Sequence, residues 1–136
     1  MGKTRILVID DEPALTRMLR CDLEAFGGYE VQVENHPLQG VEAARRFRPD
    51  LILLDVVMPD VDGGQVAAQL RDDEATRQIP IVFLTAITSR QEVRATGSLI
   101  GGSVFLPKPV KIDEIIACIT QQLEQHPHRQ EPRPPA

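Results

Sequence analysis

No stretch of this sequence is apolar for long enough to cross a bilayer, which takes about 20 consecutive apolar residues. The opening Gly2-Lys3-Thr4-Arg5 leads directly into a short apolar run and lacks the longer one of a secretory leader, so a cytoplasmic location is expected. Basic residues are few and scattered: 15 Lys and Arg stand against 20 Asp and Glu, for a net charge of −5. Direct nucleic-acid binding needs a clustered positive surface, so a protein partner is expected instead. The glycines form neither G-x-G-x-x-G nor a Walker pattern, which removes nucleotide binding. Asp60-Val61-Asp62-Gly63 could be a fragment of a calcium loop, but Met58 would fill its first ligand position and Gln69 its closing one. Only two cysteines occur, Cys21 and Cys118, with no Cys-x-x-Cys pair. Both fall in helical patterns and are expected to be buried, reduced thiols.

What is present is a regular alternation. At 136 residues the chain fits one domain, read as 1–125, followed by a polar, proline-rich tail at 126–136 expected to be disordered. Arg5 to Asp10 reads as a buried strand, and Pro13 suits the first turn of a helix whose stripe is Leu15, Met18, Leu19 and Phe26, stopped by Gly27-Gly28. Tyr29, Val31 and Val33 alternate with polar residues, as in a strand near a sheet edge. Asn35 or His36 can cap the next helix, with Pro37 in its first turn, an inner stripe of Leu38, Val41, Ala44 and Phe47, and Pro49 at its end. Leu51 to Leu54 and Pro80 to Thr85 are further apolar strands, separated by a Pro59–Gly64 loop and a short helix carrying Val66, Ala67 and Leu70. Thr88 to Gly102 reads as a weak helix, Val104 to Pro107 as the last strand. Asp113 can cap a final helix with Ile112, Ile115, Ile116, Ile119 and Leu123 on its inner face. Five strands alternating with five helices imply an α/β fold, a doubly wound parallel sheet covered on both faces.

Charges collect where the apolar strands end. Asp10 and Asp11 follow the first strand, Asp55 the third, Thr85 closes the fourth and Lys108 follows the last. In open α/β sheets the ligand site lies at the carboxyl ends of the strands. Clustered carboxylates repel unless a cation neutralises them, and magnesium is typically held by one or two carboxylates with waters completing its shell. Lys108 supplies a positive charge for a phosphate oxygen and Thr85 a hydroxyl. The set suits phosphoryl transfer, with Asp55 as the nucleophile. Taken alone, Asp10-Asp11-Glu12 is equally an acidic helix start, Thr85 an ordinary strand end, Phe105 a core residue and Lys108 a solvated charge.

Taken together, Leu7-Val8-Ile9-Asp10-Asp11-Glu12, Asp55-Val56-Val57-Met58-Pro59-Asp60-Val61-Asp62-Gly63, Leu84-Thr85-Ala86 and Phe105-Leu106-Pro107-Lys108-Pro109 resemble, in order and interval, a response-regulator receiver domain of two-component signalling. The likeness spans roughly residues 4 to 125. It implies a flavodoxin-like sheet in the order 2-1-3-4-5, a phosphoacceptor at Asp55, and a histidine kinase or histidine phosphotransfer protein as phosphate donor. It further implies Mg2+ ligated by Asp11, Asp55 and the carbonyl of Val57, with Asp10 acting through a bound water. Lys108, Thr85 and the amide of Ala86 would contact the phosphoryl group, and Lys108-Pro109 matches a cis peptide. Thr85 and Phe105 would form the switch, and an output partner would use the face of the fourth helix, fifth strand and fifth helix. The sequence departs from the family in the glycines Gly97, Gly101 and Gly102, where an alanine-rich stretch is usual, and in apolar Val57 and Ile87, which cannot orient an attacking water. Two alternatives stand beside this reading. One is an inactive receiver that acts by binding alone. The other is an aspartyl-phosphate phosphatase, disfavoured because Val57 stands where a second acid is needed.

Overall fold

The computed structural model describes residues 2–55, 63–85, 99–100, 103–107 and 111–125. Residues 88–98 and 101–102 of the helix expected over 88–102, residues 59–62 of the expected 59–64 loop, the 126–136 tail, and Val57, Ala86, Ile87, Lys108 and Pro109 lie outside them. The strands are β1 (Arg5–Ile9), β2 (Glu30–Glu34), β3 (Leu51–Asp55), β4 (Ile81–Thr85), β5 (Leu99–Ile100) and β6 (Ser103–Pro107). The helices are α1 (Pro13–Asp22), α2 (Gly40–Phe47), α3 (Gly63–Asp72) and α4 (Ile112–Gln125). Together the strands form one sheet in the order β2-β1-β3-β4-β6-β5. The five expected strands are mutually parallel and in the expected order.

Because side chains alternate across a strand, each apolar run serves two cores. Leu7, Ile9, Ile52, Leu54 and Phe83 point to one layer with α2 and α3 residues such as Ala43, Val66 and Leu70. Ile6, Val8, Leu51, Leu53, Val82 and Leu84 point to the other, against Leu19, Leu23, Ile115 and Ile119 of the α1 and α4 side. This two-sided burial is why the central strands read as unbroken apolar runs. β2 takes the edge, where Glu30 and Gln32 stay exposed around buried Val31.

The structure departs from the sequence reading in five places. Leu99 and Ile100, read as the end of a weak helix, form a sixth strand antiparallel to β6, with Leu99 opposite Val104 and Ile100 opposite Ser103. Two glycines separate the paired runs in sequence, a composition that favours a two-residue hairpin and disfavours a helix. Met18 and Phe26, assigned to the inner stripe of α1, are 46% and 71% exposed, while Leu23 is fully buried. A π-helical turn over Leu23–Gly27 accounts for Phe26: its wider winding rotates the following side chain off the α-helical stripe. Gly28, at φ 68°, then ends the segment as expected. Leu38 is 74% exposed because Pro37–Gln39 is a 3₁₀ turn ahead of α2, and neither Asn35 nor His36 caps that turn through its side chain. Arg48 leaves α2 in the left-handed region at φ 55°, consistent with Pro49 disfavouring a helical residue before it. Asp113 lies inside the first turn of α4, its carboxylate accepting the Glu114 amide at 3.0 Å, since the helix already begins at Ile112.

The fifth departure concerns the thiols. Both cysteines are free, but Cys21 is exposed on α1 and only Cys118 is partly buried. Burial pushes the Cys118 thiol up to about 11. At pH 8 its thiolate is then roughly a thousandth of the population, and the thiolate is the reactive form. An aromatic disulfide reagent should therefore titrate Cys21 rapidly in the native protein and Cys118 slowly, with both reacting at once in denaturant. Equal native rates would contradict the burial of Cys118.

Candidate functional site

Strand register brings the acids together. β1 and β3 pair with Ile9 beside Leu54, so the next residues, Asp10 and Asp55, emerge side by side. β3 and β4 pair with Asp55 beside Leu84, which sets Thr85 one step further along the neighbouring strand. Asp10 and Asp55 are 0% and 1% exposed, Thr85 2%, and Asp11 is half-buried. One carboxylate oxygen from each of Asp10, Asp11 and Asp55 lies within 4.8 Å of the other two.

The helix-start explanation for the acids does not describe this geometry. Glu12 holds the N-cap position of α1 without a side-chain capping bond, and the first turn of the helix carries no acid. Asp10 instead accepts the Glu12 amide on Oδ1 at 3.0 Å, which fixes one oxygen of a carboxylate buried beside Asp55. Ligand oxygens around a magnesium ion stand roughly 3 to 4 Å apart for bonds of about 2.1 Å. Three hard oxygen donors within 4.8 Å therefore fit a small divalent cation with little rearrangement. Val57, Ala86 and Lys108, the other expected contributors, lie outside the described residues.

On the face of β4 and β6 that packs against α2 and α3, Phe83 pairs in register with Phe105. Their rings stack with centroids 4.9 Å apart at 20°. Phe83 is buried and Phe105 packs partly buried against the same core. Two further residues sit at the site without having been singled out for it. Thr16, in the first turn of α1, is 1% exposed, and Asn35, at the end of β2, donates to both the Asp10 carbonyl and the Thr16 hydroxyl. The only trace of them in the sequence is an asparagine at a strand end and a polar residue where α1 turns inward.

A doubly wound sheet with acids at the ends of its first and third strands is matched by a known family. The response regulator receiver domain family matches residues 6–120. This chain belongs to that family. It is a receiver domain of two-component signalling. The receiver is 38% identical over 121 residues to the DNA-binding dual master transcriptional regulator RpaA of Synechocystis, covering 89% of this chain and 49% of that protein. It is 40% identical over 121 residues to the response regulator MprA of Mycobacterium leprae, covering 89% and 51%. The receiver thus spans about half the length of these curated relatives. Among solved structures, the Vibrio cholerae chemotaxis protein CheY4 superposes with a TM-score of 0.75 at 24% identity over 88% of this chain and 98% of that one, a likeness of fold. The N-terminal domain of a response regulator receiver protein from Methanoculleus marisnigri is 30% identical, with a TM-score of 0.64 over 95% and 98%. Among the described residues no helix is long and apolar enough to cross a membrane.

Proposed function

We propose that this receiver accepts a phosphoryl group on Asp55 from the phosphohistidine of a partner kinase or histidine phosphotransfer protein, with Mg2+, and that the modification switches a partner-binding face. The convergence of Asp10, Asp11 and Asp55 at the sheet's carboxyl edge carries this reading. Asp11 and Asp55, with the Val57 carbonyl, would ligate the ion, and Asp10 would hold one of its waters. Bound there, the cation neutralises charge that builds on the transferring phosphoryl oxygens. A carboxylate oxygen of Asp55 attacks phosphorus in line, its bond to phosphorus forming as the phosphorus–nitrogen bond of the phosphohistidine breaks, and the imidazole leaves with that electron pair. The Lys108 ammonium, the Ala86 amide and the Thr85 hydroxyl would receive the phosphoryl oxygens.

Switching requires that the phosphoryl group bind one of two conformations better than the other. Thr85 and Phe105 are the proposed bistable pair, with the output partner on the face of β6, α4 and the segment before β6. The two named relatives are about twice as long as the stretch they share with this chain.

The test is incubation with acetyl phosphate and Mg2+, read by intact mass. One added phosphoryl group is expected, and none when EDTA removes the metal. Since Val57 and Ile87 cannot orient an attacking water, the adduct should outlast seconds in magnesium buffer. Loss within seconds would contradict that lifetime, and absence of any adduct would favour a receiver that signals by binding alone.

A further inference from the structure

We infer that Asn35, together with Thr16, is a positioning residue for the metal-binding acids, acting by holding the Asp10 carbonyl. The inference rests on the proposed magnesium-dependent function. Its origin is the way the β1–β2 ladder ends. The ladder runs in steps of two: the Glu30 amide donates to the Thr4 carbonyl at the start, and the Asp10 amide to the Glu34 carbonyl at the end, 3.1 Å. Continued one step, it would bring the His36 amide to the Asp10 carbonyl. The chain turns away first. The His36 amide donates instead to its neighbour Glu34, at 3.0 Å on Oε2.

Asn35 takes the place that the His36 amide would have had in the ladder. Its Nδ2 donates to the Asp10 carbonyl at 2.8 Å and to Thr16 Oγ1 at 3.0 Å. Thr16 Oγ1 in turn donates to the Pro13 carbonyl at 3.1 Å. One carboxamide thus ties the end of β1, the end of β2 and the first turn of α1. The Asp10 carbonyl belongs to the peptide plane that joins Asp10 to Asp11. Fixing that plane limits the directions in which both carboxylates leave the backbone. Asp10 Oδ1 is held separately by the Glu12 amide at 3.0 Å, so the acidic pair is anchored from two sides. Asn35 and Thr16 touch neither cation nor phosphate in this arrangement, and their contribution is to set beforehand the directions from which Asp10 and Asp11 approach Asp55.

Outer partners that orient metal ligands typically account for about 10- to 100-fold in metal affinity. The test is a Mg2+ titration by calorimetry on the unphosphorylated full chain. Asn35→Ala and Thr16→Val should each weaken Mg2+ binding by about tenfold or more, with Thr16→Ser returning to the wild-type value. In acetyl phosphate reactions the half-saturating Mg2+ should rise by the same factor, while the rate at saturating Mg2+ stays within about twofold. A residue that only supports the fold would lower the melting temperature and leave Mg2+ affinity unchanged, and that result would overturn the inference. Should Asn35→Ala not fold, the Thr16→Val and Thr16→Ser pair decides alone. A wild-type protein that binds no Mg2+ overturns both the proposed function and this inference. Wild-type binding with unaltered variants overturns the inference and leaves the function standing.

Discussion

Asp55→Asn is expected to abolish phosphorylation and, in the absence of metal, to raise stability. The two effects come from one structural fact. Asp55 is buried at the end of β3, its carboxylate grouped with those of Asp10 and Asp11 within 4.8 Å. An amide is not a nucleophile toward phosphorus under these conditions, so no adduct should form with acetyl phosphate. The same change removes one of three neighbouring negative charges. At an effective dielectric of about 20, unit charges roughly 5 Å apart repel by about 3 kcal/mol. Solvent screening reduces this, so a net gain of about 1 to 2 kcal/mol is expected, seen as a rise of several degrees in melting temperature without Mg2+. Adding Mg2+ should stabilise the wild type more than the variant and narrow the gap. If Asp55→Asn instead destabilised the metal-free protein, the acids would have a structural role in addition to any chemical one.

Phe83→Ala is expected to cost about 3 to 5 kcal/mol of folding stability, the usual loss for emptying a buried aromatic site. Phe83 is 5% exposed, sits in the core between the sheet and α2 and α3, and stacks in register on Phe105. Chemical denaturation should show a lower midpoint with an unchanged slope. Phe83→Leu, which refills most of the space, should recover the greater part. A double-mutant cycle on Phe83→Leu and Phe105→Leu isolates the stack itself, expected at about 0.5 to 1.5 kcal/mol. A cycle energy near zero would mean that the rings do not hold one another in solution, and Phe105 would then have nothing on β4 to leave or return to in the proposed switch.

Much of the fold is legible because the central strands are buried on both faces. Runs such as Leu51–Leu54 admit few alternatives once helices flank them, and the parallel direction follows from the alternation, while the strand order was implied by the family likeness. The acids were equally visible, since a charge that directly follows a wholly apolar strand falls at the sheet's carboxyl edge. Features that depend on a local change of winding were not. Phe26 keeps α-helical spacing in sequence, yet a π-helical turn carries it into solvent. Leu38 looks like the first rung of α2 but precedes it in a 3₁₀ turn. Leu99 and Ile100 are too few to show a period, and only their pairing with β6 makes them a strand. Asn35 was read as a helix cap, a role its residue type allows, because the carbonyl it serves belongs to a strand 25 residues away in sequence. Side chains that act by completing another strand's backbone bonding leave no motif.

The most direct test of phosphoryl transfer to this receiver is to locate the modified residue. After reaction with acetyl phosphate and Mg2+, borohydride reduces an acyl phosphate to the corresponding alcohol, which marks the site permanently for peptide mass spectrometry. The expected result is a single reduced residue at Asp55, absent when EDTA is present. Reduction at Asp10, Asp11 or any other acid, or no reduced residue at all, would contradict the assignment of Asp55 as the phosphoacceptor.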